Sequence, residues 1–188
     1  MKKFKIDKNH CIGGWFIPEK ICDDLLKFYH FNIKNTQEGS TLLGVNKSKK
    51  DSRDLKIKTH YHHDLIISYR VELQKCLEDY VKQYPIINDL DRFNIIEDYR
   101  IQHYKKNAGY KIWHCERTGA KTERRALVFM TYLNTVKDGG TMFKYQNMIT
   151  PCIKGLTLIW PTDFTHLHKS QISKSQEKYI VTGWYNFI

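Results

Sequence analysis

The stretch Tyr99-Arg100-Ile101-Gln102-His103-Tyr104 is where the chain changes its period. Upstream of it, apolar residues recur at helical spacing. Ile21, Cys22, Leu25, Leu26 and Tyr29 follow Pro18, a residue suited to a first helical turn. Ile66, Tyr69, Leu73, Cys76, Leu77, Tyr80, Val81 and Tyr84 then run as far as Pro85, which cannot continue a helix. From Tyr99 onward the apolar segments are short and rich in β-branched and aromatic residues. They are 99–104, 126–132, 156–160 and 179–184, and Gly, Pro, Asn or Asp separate them. Helices followed by short strands predict a mainly β protein with N-terminal helices, a jelly-roll barrel whose open mouth can admit a ligand. The expected division is a single domain over 1–188. Residues 1–92 form a mostly helical part packed on the barrel, and 93–188 form the jelly-roll core that carries the site.

With 188 residues the chain can bury a full core. It shows no internal repeat and no apolar run able to span a bilayer. The basic start Met1-Lys2-Lys3-Phe4-Lys5 is followed by no apolar stretch, so no signal peptide is read. The expectation is a soluble, cytoplasmic protein without a membrane partner. The five cysteines, Cys11, Cys22, Cys76, Cys115 and Cys152, are odd in number and lack CxxC spacing, which argues against a disulfide framework or a structural zinc site. The net charge of +11 permits contacts to phosphate, and nucleic acid stays open as a partner. The excess, however, is mainly Lys spread along the chain among many Ile, Asn and Tyr residues, a pattern that biased genome composition also produces. The polar cluster Asn46-Lys47-Ser48-Lys49-Lys50-Asp51-Ser52-Arg53-Asp54 reads as a loop, either a mobile substrate-binding lid presenting Lys47, Lys50 and Arg53 or a solvated connection.

The residues that carry chemistry lie in two distant segments. In a strand, side chains two apart share a face, so His114 and Glu116 can reach one metal ion while Cys115 points away. A second imidazole completes a 2-His-1-carboxylate set, which holds a non-haem Fe(II) from one side. His166 and His168 share parity, and strand geometry lets either supply that imidazole. If a strand ends near His168 and another opens at Lys178, residues 169–177 are the connecting loop and the ammonium lies beside the metal, available to an anion.

The stretch from Tyr104 through Trp184 resembles the catalytic domain of the prolyl 4-hydroxylase-like Fe(II)/2-oxoglutarate dioxygenases. Tyr104, Tyr110 and His114-Cys115-Glu116 resemble that family's HxD segment with its leading tyrosine. Thr131-Tyr132-Leu133-Asn134 and Gly139-Gly140-Thr141-Met142-Phe143 resemble its YLN and GGxTxF signatures. Pro151, then 154–161, resembles its PxxGxxxxF strand, and His168, Lys178 and Trp184 its closing segment. The ten-residue step from His168 to Lys178 matches the family pattern, whereas His166 would need twelve. The family most often has Asp where this chain has Glu116.

The resemblance implies a double-stranded β-helix fold with Fe(II) held by His114, Glu116 and His168. It also implies 2-oxoglutarate as cosubstrate, O2 as oxidant and ascorbate as a reductant. Lys178 would bind the distal carboxylate of 2-oxoglutarate, with Tyr132, Tyr104 and Thr182 as further contacts and Trp184 as a wall. The implied activity is hydroxylation of an unactivated C–H bond, with release of succinate and CO2. A peptidyl or protein residue is the leading substrate, and a free amino acid or small metabolite is the alternative. A nucleobase is disfavoured because no arginine follows Arg125. A non-enzymatic barrel is the least favoured reading, because ligands and lysine are all present.

Overall fold

In the computed structural model, which describes all of residues 1–188, the strands and helices follow in this order. First come β1 (Lys2–Phe4), β2 (Gly13–Phe16), α1 (Glu19–Phe31), β3 (Gln37–Glu38), β4 (Ser40–Thr41), β5 (Gly44–Val45), β6 (Arg53–Ile57) and α2 (Asp64–Gln83). Then come β7 (Phe93–Asn94), β8 (Tyr99–Tyr104), β9 (Arg125–Tyr132), β10 (Val136–Phe143), β11 (Met148–Cys152), β12 (Leu156–Pro161), β13 (His168–Ser170) and β14 (Lys178–Phe187). A large antiparallel sheet runs β1-β2-β12-β9-β14-β8-β6-β3, with β7 added on β14. A smaller sheet, β11-β10-β13, supplies the second layer, and β4-β5 is a separate hairpin.

Period-two alternation gives each face of the large sheet its own core. Leu127 and Phe129 of β9, Ile159 of β12 and Val181 and Tyr185 of β14 face one way, into a cluster with Leu25 and Tyr29 of α1 and Ile66, Tyr69, Leu73 and Tyr80 of α2. Their neighbours Val128, Met130, Tyr132, Trp160, Ile180 and Trp184 face the other way and pack with Phe143 of β10 and Tyr104 of β8. The helices thus cover one face, and the small sheet faces the other. Both helices form where the apolar spacing places them, and α2 stops before Pro85. Neither is long and apolar enough to cross a membrane.

The N-terminal part contributes more than helices. β2 pairs with β12, and β6 pairs with β8, so residues before 93 extend the large sheet on both sides. Strands of two to five residues embedded in polar sequence leave too short a pattern to read. β6 covers the end of the segment expected to be a loop, since Arg53 and Asp54 are its first residues. All five cysteines are free, with Cys22, Cys76 and Cys152 buried.

Candidate metal and anion site

The segment around His114 is extended but is not a regular strand. A single bridge joins His114 to His168, with the His168 N–H donating to the His114 carbonyl at 2.9 Å and the reverse bond at 3.1 Å. The N–H groups of Glu116 and Arg117 both donate to the Thr162 carbonyl at 3.0 Å. These anchors put His114 and Glu116 on the same side, opposite the start of β13. Glu116 Oε1 lies 3.4 Å from His114 Nε2 and 3.4 Å from His168 Nε2. The three donor atoms lie within 4.8 Å of one another.

The imidazoles are oriented from behind. His114 Nδ1 is 3.1 Å from the Ile112 carbonyl and His168 Nδ1 is 2.9 Å from the His166 carbonyl, so each can donate there and turn an Nε2 lone pair into the site. The Tyr110 ring stacks on His114 at 3.5 Å between centroids. Burial pushes the His114 pKa down, helped by the adjacent His168, and this favours the neutral, ligating form. Burial alone would raise Glu116, but the two imidazoles outweigh it and hold the carboxyl well below its ordinary value. Donors at right angles around an ion ~2.1 Å away would be ~3 Å apart, so the spacing suits one divalent cation. His166 is turned away: its Nε2 lies 2.9 Å from the His10 carbonyl, and its Nδ1 lies 2.9 Å from the Thr165 hydroxyl.

The sequence did not reveal what supports the carboxylate. Glu116 Oε2 accepts the indole N–H of Trp184 at 3.0 Å and lies 3.7 Å from Arg125. Trp184 is therefore a hydrogen-bond donor to Glu116, not just a wall. The Arg125 guanidinium lies over the Trp184 ring at 3.5 Å and is itself held by Glu97 at 2.6 and 2.9 Å. Trp184 shares the parity of Lys178, a legible signal, but Arg125 and Glu97 become its neighbours only through strand pairing.

Trp184, Thr182, Ile180 and Lys178 line one wall of a cavity of about 460 Å³, which also contains the triad. Lys178 is 4 % exposed, and its ammonium donates to the Gly139 carbonyl at 2.8 Å. It forms no ion pair with a carboxylate of the chain, and burial pushes its pKa down from 10.5 to about 8. The β10 backbone that offers this carbonyl is pressed against β11: a Cβ on Gly140 would lie 1.9 Å from the Thr150 carbonyl oxygen, which accounts for the glycine. Near Lys178, the Tyr132 hydroxyl is 2.7 Å from the Thr141 hydroxyl and 3.1 Å from that of Thr150. The Tyr104 hydroxyl donates to Gln102 at 2.6 Å, and its ring lies 5.4 Å from the Lys178 ammonium. Thr182 donates to the Phe129 carbonyl at 3.2 Å.

The basic segment divides. Lys50 lines the cavity but is buried against Asp54 at 2.7 Å. Lys47 is exposed and pairs with Glu38 at 2.6 Å. Arg53 points to the outer face, where its guanidinium donates to Thr36, because it has the opposite β6 parity to Asp54. Neither Lys47 nor Arg53 lines the cavity.

Residues 99–186 match the model of the 2OG-Fe(II) oxygenase superfamily. A prolyl-4-hydroxylase from Pseudomonas putida superposes with a TM-score of 0.73 at 15% identity, covering 94% of this chain and 93% of that one. A prolyl hydroxylase from Trichoplax adhaerens, solved with a hypoxia inducible factor peptide fragment, has a TM-score of 0.72 at 15% identity, covering 95% and 84%. The viral collagen prolyl hydroxylase of Paramecium Bursaria Chlorella virus-1, solved with 2OG, has a TM-score of 0.69 at 17% identity, covering 94% and 96%. No curated protein matches the sequence. Residues 99–186 are thus similar to the 2OG-Fe(II) oxygenase superfamily, whose members are dioxygenases using Fe(II), 2-oxoglutarate and O2, and the chain has the fold of the prolyl 4-hydroxylases.

Proposed function

We propose that this chain hydroxylates an unactivated C–H bond of a peptidyl residue, using a double-stranded β-helix core in which His114, Glu116 and His168 hold Fe(II). The observation that carries the reading is the meeting, in one cavity, of three converging donors and a buried lysine with no counter-ion. Bound Fe(II) with 2-oxoglutarate and O2 supplies the oxidising power, and succinate and CO2 are released. Lys178 receives the distal carboxylate of 2-oxoglutarate, with the Tyr132 hydroxyl as neighbouring donor, and a matched, hydrogen-bonded partner makes so buried a charge tolerable. Tyr104 stands beside Lys178 at the anion end, and Thr182 lines the wall from there toward Trp184. Trp184 and Arg125 hold the free oxygen of Glu116, which offsets the freedom of its extra methylene relative to Asp.

A peptide is supported by the cavity mouth. The β4–β5 hairpin overhangs it with Leu42 and Leu43, 56% and 87% exposed, and Ile112 also lines it. Apolar residues left in water beside a catalytic cavity suit a chain segment laid across them. The test is succinate release with Fe(II), ascorbate and 2-oxoglutarate, alone and with peptide, amino-acid and DNA pools. Stimulation by the peptide pool, silent in His114→Ala, is the expected outcome. Stimulation only by amino acids or DNA would reassign the substrate. Iron uptake that His166→Ala abolishes and His168→Ala spares would overturn the ligand assignment.

A further inference from the structure

Arg100 is a cavity-lining cation with no task in this scheme. Arg100 stands on β8 opposite Thr182 of β14, and the same register pairs Gln102 with Ile180 and Tyr104 with Lys178. These pairs face the cavity, so Arg100 lies four residues, ~13 Å, from the lysine end, toward the level of Trp184 and Glu116. Its guanidinium comes no closer than 3.9 Å to a carboxylate, that of Asp54. That carboxylate is already occupied: Lys50 donates to it at 2.7 Å, Ser52 at 2.7 Å and Gln102 at 3.4 Å. Two cations therefore share one anion, and a whole positive charge with five N–H donors is left facing the cavity, 29% exposed. Lys49 and Lys169 add charge to the lining, and Glu116 is its one carboxylate. The two carboxylates of 2-oxoglutarate are accounted for by Lys178 and the metal, so they leave Arg100 unmatched.

We propose that Arg100, held off Asp54 by the Lys50 ion pair, binds a carboxylate of the prime substrate, so that the preferred substrate is an acidic peptide with Asp or Glu beside its target residue. This rests on the peptidyl hydroxylase reading above. A planar guanidinium takes a carboxylate through two parallel hydrogen bonds, which gives direction as well as affinity. The leucines of the β4–β5 hairpin favour a peptide over a sugar-phosphate chain, which would call for stacking aromatics and a row of phosphate contacts.

The test is fluorescence anisotropy under anaerobic conditions, with Fe(II) and 2-oxoglutarate present. The probes are three peptide libraries with acidic, amide or basic residues flanking a central variable position. The acidic library is expected to bind about tenfold more tightly than the amide library. Arg100→Gln should erase that advantage and Arg100→Glu should transfer it to the basic library. Arg53→Gln, whose guanidinium lies outside the cavity, should behave as wild type. An acidic preference that survives Arg100→Glu, or no preference in wild type, overturns the proposal. Tighter binding of a single-stranded DNA oligomer, or of free glutamate, than of the acidic library also overturns it. Binding is read without turnover, so a failed hydroxylase reading shows separately as absent succinate release.

Discussion

Lys50 and Lys178 are two lysines of nearly equal burial, 3% and 4% exposed, on different walls of one cavity. Lys50 meets Asp54 at 2.7 Å. Lys178 meets only backbone carbonyls, and its pKa falls to about 8. A buried cation with an internal anion belongs to the architecture, whereas one without awaits an anion from outside. The contrast can be broken in four ways.

The largest effect is expected at the paired lysine. Lys50→Ala removes the direct ion-pair partner of Asp54, leaving Arg100 at 3.9 Å as its nearest cation, and should cost about 3 kcal/mol, on the order of 10 °C in melting temperature. The double variant Lys50→Met/Asp54→Leu should recover most of that loss. Lys178→Met, by contrast, should leave the melting temperature of the unliganded protein equal or higher. A loss at Lys178 as deep as at Lys50, measured by calorimetry, would erase the distinction.

Next is the ligand itself. Lys178→Ala should raise the 2-oxoglutarate KM on the order of a hundredfold while metal affinity shifts far less. Equal loss of both, read by succinate release and by metal titration, would contradict its role. A third charge in the cavity extends the comparison, because Glu116, like Asp54, has its partners built in. Trp184→Phe removes the indole donor to Glu116 and should weaken metal binding about 10- to 100-fold in a competition titration.

The effect that is smallest per step is in pH. Lys178 ordinarily titrates near 10.5 and in the fold near 8, so between those values the unfolded chain holds the extra proton. Its contribution to stability therefore rises with pH across that window, by up to about 1.4 kcal/mol per unit. The difference between wild type and Lys178→Met should carry this slope. Affinity for 2-oxoglutarate runs the opposite way: it should be flat below about pH 8 and fall as the ammonium is lost above it. A 2-oxoglutarate affinity that rises above pH 8 would remove the lysine from the site.

Much of the fold was legible because its signals are periodic. The spacing of Ile66 to Tyr80 and the alternation along 126–132 each express which face is buried, and burial shapes sequence directly. Short strands such as β3, at the edge of the large sheet, and β6 beside it were not legible, since a few residues among polar neighbours carry no period. Within the site, the placement of His114, Glu116, His168 and Lys178 followed from spacing and family pattern. The assignment of Lys47 and Arg53 to a substrate loop did not anticipate β6, whose alternation sends Arg53 to Thr36 and Asp54 toward Gln102.

The order of residues sets the chemistry on offer: two imidazoles and a carboxylate with the right reach, and a lysine at a fixed step beyond. Which charges are paired and which are free follows from the folded arrangement. Glu97 meets Arg125, Trp184 meets Glu116, and Lys50 with Arg100 shares Asp54 across separations of 28, 68, 4 and 46 residues, counting each partner pair in turn. The reason is physical. Local patterns record which face is buried, but the state of a buried charge depends on what the sheets bring within a few ångströms of it.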